Sequence, residues 1–465
     1  MIFEKAQPFV YPAMAALVFA LAFAASLFFN GMRIEYFALS LFILFLLLYV
    51  VLWRGYSRGL QFPKTSLAIT LTLFWLWLAV TQLWSPVPYV SMVNFWWVGG
   101  AVLVFWLMTL APKDNHPFPG TYVVVLIIGI MLALLSFYQQ LRLGAQAQST
   151  FLTRNSHAGL MCLIAIPASS YFLLTQGRSR SAFWTSWLLG PVLFVLYFSI
   201  ALTSSRGATV GLLMGLAVVL WLAYGRIPRA RLAVFLGIVV VAYVAANLQL
   251  QGEVANRLGT LVELTKADPA RLLIWQQAWR MLMDNPWWGI GLGTYWLHWP
   301  PYRHPQDVSG GFYVHNDYLQ IWIESGVPGL LLLLGVYVAV VVTFIRILRH
   351  ANQHPAVIVE SAGLFGGLLA IAVHTFFDFH LYIYPIQLVM GLVLVRLHAL
   401  YLVHVPARVF VIQPVQRVGR RAYRVISFLI ILLPLMYFAV LGGSAMLTYK
   451  ARDLMAQGRW VDASE

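Results

Sequence analysis

The chain has 465 residues, of which 61% are hydrophobic and 10% charged, whereas a soluble domain carries about a quarter charged residues; a water-soluble globular body is excluded. The net charge of +15 is spread over short basic clusters between apolar runs rather than gathered on one polar face, which argues for membrane topology and against a nucleic-acid partner. A single cysteine, Cys162, rules out an internal disulfide or a cysteine-based metal site.

Apolar runs, each long enough to cross a hydrocarbon core of about 30 Å as a helix, fall at about 9 to 29, 36 to 53, 66 to 83, 92 to 111, 121 to 141, 158 to 175, 183 to 203, 207 to 224, 232 to 248, 326 to 345, 359 to 377, 386 to 404 and 425 to 447. The first is too long for a signal-peptide core, and its Ala-x-Ala stretch from Ala20 to Ala24 lies inside the run, so it counts as a span. Alternate connections are basic: with Lys5, they carry Arg54, Arg58, Lys64, Lys113, Arg178, Arg180, Arg226, Arg229, Arg231, Arg346, Arg349, Arg408, Arg417, Arg420, Arg421 and Arg424. The short connections on the other side hold only Arg33, Arg142, Arg154 and Arg206. The positive-inside rule then puts the N-terminus in the cytoplasm and the C-terminus outside.

By the same parity, the long stretch from Gln249 to Ser325 is outside. Within it the spacing predicts a helix with Asp268 as N-cap, Pro269 at its first position and Asp284-Asn285-Pro286 as its stop. Arg271, Trp275, Ala278 or Trp279, and Leu282 share one stripe of that helix; an interfacial helix whose arginine snorkels to lipid phosphates explains the same pattern. "WWGIGLGTY" follows, a glycine-rich turn suited to close backbone approach rather than to a dinucleotide. In "GFYVHNDYLQIWIESGVPG" the chain re-enters the membrane, and His315 and Asn316 stand at the start of a helix carrying Leu319, Trp322 and Ile323. Arg206, in "LTSSRGATVG", sits at the outer end of two facing spans, where an arginine is costly unless it serves a partner or anchors the boundary. The tail from Thr448 reads as the opening of a polar, repeat-like helix.

Arg206, Arg271 and His315 together suit an anionic, lipid-linked substrate, because guanidinium groups bind phosphate oxygens bidentately and keep their charge at any relevant pH. The fifteen acids are scattered, with no D-x-D pair, so neither a metal nor another cofactor is expected and arginines must take the electrostatic role. Zinc held by His298, His304 and His315 lacks a recognised spacing. His374 and Asp378, in "HTFFDFHLYIYP", offer polar support at the end of another span. Acids are nearly absent from the span interiors, which speaks against a proton-coupled transporter.

"HNDYLQIWIESGVPG", with His315, Asn316, Gly326 and Gly329, resembles the H-[NSQ]-x9-G-x-x-[GTY] pattern of the bacterial O-antigen ligases. The Arg271–Gly291 segment and the "SRG" at Ser205 to Gly207 are similar to the same superfamily, which includes Wzy-type polymerases and PglL-type O-oligosaccharyltransferases. "TFLTRNSHAG" looks like its N-R-N-x-x-A element, with Thr153 where an asparagine is common. The resemblance covers roughly Thr150 to Pro385. Hydropathy and charge placement predict an all-α, polytopic protein of the bacterial inner membrane with about thirteen spans: 1–248 as spans one to nine, 249–325 as a large periplasmic helical loop, 326–447 as spans ten to thirteen, and 448–465 as a periplasmic tail. The activity that the resemblance implies is inverting, metal-independent transfer of a glycan from undecaprenyl diphosphate to an acceptor hydroxyl on a glycan, on lipid A-core or on a protein. Arg206, Arg271 and His315 would be catalytic, and Arg154, Asn155, Arg280, Tyr313, Asn316, His374 and Asp378 would bind substrate. A flippase of lipid-linked glycans is the rival of another class; it calls for inverted repeats or a charged path through the bilayer, and the sequence has neither.

Overall fold

The computed structural model describes residues 10–27, 33–110, 118–174, 180–259, 269–412 and 419–457. The helices are α1 (Val10–Ser26), α2 (Ile34–Arg58), α3 (Ser66–Val80), α4 (Pro88–Val98), α5 (Gly100–Thr109), α6 (Phe118–Arg142), α7 (Arg154–Leu174), α8 (Arg180–Leu202), α9 (Arg206–Ala223), α10 (Arg229–Gln249), α11 (Glu253–Gly259), α12 (Pro269–Asp284), α13 (Asp317–His350), α14 (Pro355–His374), α15 (Tyr384–His404) and α16 (Arg420–Ala456). Two short strands, β1 (Leu60–Lys64) and β2 (Arg408–Ile412), pair in one small sheet.

Among the described residues each of the thirteen apolar runs overlaps a helix. Among the described residues ten helices are long and apolar enough to cross a membrane, or eleven if α4 and α5 form one span, while Ala15–Ser26 and Leu188–Leu202 are shorter apolar stretches. The chain is a multi-pass, all-α membrane protein. Two runs and the polar tail differ from expectation in shape. The run at 92 to 111 is broken, α4 and α5 meeting at 50°. The run at 326 starts inside α13, at Gly326, where φ 70° and ψ −176° interrupt the helix. The polar tail is no separate element, because α16 continues unbroken past Thr448 to Ala456. Asp268 lies outside the described residues, as do Lys5, Lys113, Arg178, Arg417 and the end of the tail.

The chain divides into two compact units, one of 1–62, 106–125 and 409–465, the other of 63–105 and 126–408. In the first, α2 packs against α1 and α16: Ser40 Oγ donates to Ala22 O at 2.7 Å, the Phe45 and Phe438 rings lie 5.6 Å apart, and Tyr423 donates to Leu52 O. The second unit is built on α7, α9 and α14. Lipid removes the hydrophobic drive for helix association, so close backbone packing of small residues replaces it. A Cβ added to Gly211 of α9 would lie 2.4 Å from Ala370 O of α14, and one on Gly363 of α14 would lie 2.3 Å from Ser170 Oγ of α7. Lower on the same helices the buried Glu360 carboxylate receives Arg396 Nε at 2.6 Å, Arg396 Nη2 at 3.0 Å and Tyr171 Oη at 2.7 Å, tying α14, α15 and α7 together.

Candidate functional site

The "SRG" motif owes its form to one helix end. Ser205 is the N-cap of α9, accepting from Ala208 N, Arg206 is its first residue, and a side chain on Gly207 would meet His374 Cδ2 at 2.7 Å. His374 itself is buried, with Nε2 3.5 Å from Ser205 Oγ and its ring edge-on to His380 at 4.1 Å. It therefore buttresses the Arg206 helix from behind.

Arg206 shares a small cleft with Ser204, Ser205, Thr209 and Arg257. Ser204 has φ 48°, and its buried Oγ has no hydrogen-bond partner among the described residues. The charges of Arg257, Arg206 and Arg271 all act on Arg154, and that of Glu253 opposes them, so four guanidinium groups from α7, α9, α11 and α12, offset by one carboxylate, form one electropositive region. Arg257 escaped the sequence reading; its signal was faint, a Glu253–Arg257 pair at i, i+4 in a seven-residue helix, and the pair is formed at 2.8 Å. Asn155 follows Arg154 on α7 and is partly exposed.

The second focus is Asp378, in the connection between α14 and α15. Its carboxylate is buried, with Arg271 Nη2 at 3.8 Å from Oδ2 and His315 Nδ1 at 3.4 Å from Oδ1. Phe379 N donates to Oδ1 at 3.0 Å. Burial pushes the Asp378 carboxyl up, but His315, His380 and Arg271 more than reverse this and hold it below the usual carboxylate range. Burial drives the neighbouring His380 down to about 4, leaving it neutral near pH 7.

His315 has φ 55°, an uncommon conformation for a non-glycine residue that persists only where its surroundings enforce it. Asn316 turns its side chain inward to cap α13, accepting from Leu319 N at 3.1 Å; Asp317 N donates to Thr375 O, and Asp317 Oδ2 accepts from Leu381 N at 2.8 Å. Phe379 lies between Tyr313, stacked at 4.1 Å, and His315, edge-on at 4.9 Å. Trp275, one turn after Arg271, donates to Val314 O at 3.1 Å and packs on Phe376, which fixes the Arg271 face of α12 against the site.

Of the residues singled out in the sequence, the structure gathers Arg271, His315, Tyr313 and Asp378 in one cluster, with Arg206 and Arg154 in the electropositive region and His374 behind Arg206. Asn316 is engaged as a helix cap. Arg280 is nine residues after Arg271, half a turn round α12 at 100° per residue, and is exposed away from the cluster. Among the described residues no three His, Cys, Asp or Glu side chains converge as a metal site.

Residues 191–334 match the Wzy_C family model, described as O-antigen ligase. The match begins within α8 and ends within α13, taking in Arg206, Arg257, Arg271 and His315 but neither Arg154 nor Asp378. No curated protein matches the chain.

Proposed function

From the premise that this multi-pass membrane protein carries an O-antigen ligase family domain, a glycosyltransferase family, we propose that it transfers or polymerises glycan from undecaprenyl diphosphate onto an acceptor glycan hydroxyl at the periplasmic face of the inner membrane. The observation that carries the proposal is the approach of Arg271 and His315 to one buried carboxylate, Asp378, with three further arginines nearby. Thirteen spans, a cytoplasmic N-terminus and a periplasmic 249–325 loop belong to the same reading, and the charge asymmetry of the connections supports them.

In the proposed reaction the acceptor oxygen attacks the anomeric carbon from the face opposite the diphosphate. The new C–O bond forms as the bond to the diphosphate breaks, the electron pair leaves with the lipid diphosphate, and the configuration inverts. Arg206 and Arg271 neutralise the charge that develops on the leaving group, with Arg154 and Arg257 strengthening the local field. His315 positions the acceptor hydroxyl and takes its proton, and Asp378 orients the imidazole and stabilises the imidazolium that results. Diphosphate is a good leaving group, so no strong general acid is required, unlike the sugar oxygen expelled by a glycosidase, which needs a protonated carboxyl beside it.

The test is transfer by purified protein given lipid-linked oligosaccharide and acceptor in excess EDTA. Activity should persist there, His315→Ala should bind donor yet lose roughly 10²- to 10⁴-fold in transfer, and Arg206→Lys should fall substantially because Lys keeps the charge but lacks the planar fork. Wild-type product from both variants, or loss in EDTA reversed by Mg²⁺, would overturn the proposal.

A further inference from the structure

Glu324 lies two and a half turns beyond His315 and is fully buried, a placement that is costly for a carboxylate unless donors surround it. It has four. Gly293 N donates to Oε2 at 2.7 Å and Tyr382 Oη to the same oxygen at 2.5 Å, while Tyr295 N and Gln320 Nε2 donate to Oε1 at 3.3 and 3.2 Å. These donors come from the glycine-rich turn, the first turns of α13 and the α14–α15 connection.

Two of the donors, Gln320 and Tyr382, lead on toward the candidate site. Gln320 Oε1 accepts from Val314 N at 3.0 Å, which pins the residue next to His315. The Tyr382 ring lies 5.7 Å from that of Tyr313, which stacks on Phe379, the neighbour of Asp378. Main-chain bonds reinforce the arrangement: Ile290 N donates to Ile323 O, Gly291 N to Glu324 O and Val327 N to Trp287 O. The first two use carbonyls without a helical donor, Ile323 O because the break at Gly326 turns Val327 N to Trp287 and Glu324 O because Pro328 has no N–H; the break needs glycine, because a Cβ there would lie 2.2 Å from Trp287 O.

We propose that Glu324 is a positioning residue: its carboxylate gathers the glycine-rich turn, the His315 peptide and the Asp378 connection, and so sets the imidazole of His315 against Asp378. The proposal rests on the reading of His315 and Asp378 as the reacting centre, but its test has a readout independent of that reading. Glu324→Gln keeps the size and reach of the side chain while turning one acceptor into a donor that faces Gly293 N–H or Tyr382 O–H. Tyr382→Phe removes a single donor and serves as the milder probe if the first variant does not fold.

Full-length protein in nanodiscs is treated with diethyl pyrocarbonate, and modification of the His315 peptide is followed by mass spectrometry alongside transfer kinetics. Glu324→Gln should raise the His315 modification rate severalfold and lower kcat by about 10- to 100-fold with the donor KM within about twofold. Tyr382→Phe should shift both in the same direction, and the double variant should fall short of the product of the single effects. Unchanged His315 reactivity in folded variants would overturn the proposal, as would a lowered melting temperature with unaltered kcat per folded molecule, the signature of a purely structural role. If wild-type protein transferred no glycan while His315 reactivity still responded, the functional reading alone would fail.

Discussion

Replacing Asp378 by Asn removes one charge from the point where Arg271 and His315 meet, and keeps an oxygen able to accept from Phe379 N. At 3.8 Å and an effective dielectric of about 20, the Arg271–Asp378 attraction has a ceiling of about 4 kcal/mol. The Arg271 side chain is 20% exposed and that of His315 is 30% exposed, so water screens part of it and about 1.5–3 kcal/mol, the upper part of the range for residues coupled in one salt-bridge network, is the better expectation. That corresponds to transfer slowed by about one to two orders of magnitude. Product formed from lipid-linked oligosaccharide, run on a gel at matched enzyme concentration, resolves such a change. The acid-stability profile supplies a second arm. Asp378 titrates lower in the folded state than its unfolded value of about 3.9, so its contribution is present above that value and is lost as pH falls through the lower folded one. Melting temperatures of wild type and Asp378→Asn should therefore differ near neutrality and converge in strong acid. Transfer within twofold of wild type, with parallel melting profiles, would refute the argument that this carboxylate organises the centre.

Topology is testable at Val308, which is 93% exposed, rather than at the adjacent Asp307, which is buried and bonded to Gln277 and Ser309. Val308→Cys should react with a membrane-impermeant thiol reagent in intact spheroplasts and Arg421→Cys should not; native Cys162 is buried and gives little background. Gly326→Ala should destabilise by at least about 1–2 kcal/mol from its left-handed backbone alone, more once the Trp287 carbonyl is displaced, read as a lower melting temperature with loss of transfer.

The spans were legible because length and hydropathy are local properties, and Arg206, Arg271 and His315 because a charge or an imidazole at the rim of an apolar run stands out in one dimension. What joins them is not local. Asp378 is brought to Arg271 and His315 by the pairing of the α14–α15 connection with the start of α13, through Asp317 to Thr375 and Leu381, and no spacing rule reports that. Glu324 likewise draws on residues 293, 295, 320 and 382, a set visible only in three dimensions. Asn316 could have been read more closely, since an Asn just before an amphipathic run is an N-cap signal in its own right. Arg280 could have been set apart from Arg271 by helical phase alone.

The Glu360–Arg396 pair also bears on how the protein is assembled into its membrane. Either side chain alone, on a helix threading into lipid, adds about 2.5–3.5 kcal/mol to the cost of insertion when it sits at mid-bilayer, and less near the ends. The bidentate contact links successive helices, α14 and α15, joined by the connection at 375–383. The two segments should thus leave the translocon as one hairpin, each masking the other's charge, with α14 held back until α15 has been synthesised. Glu360→Ala would deprive Arg396 of its carboxylate and should hinder insertion more than the double replacement of Glu360 and Arg396 by apolar residues. Biogenesis, as well as the finished fold, thereby constrains the spacing of these two charges along the chain.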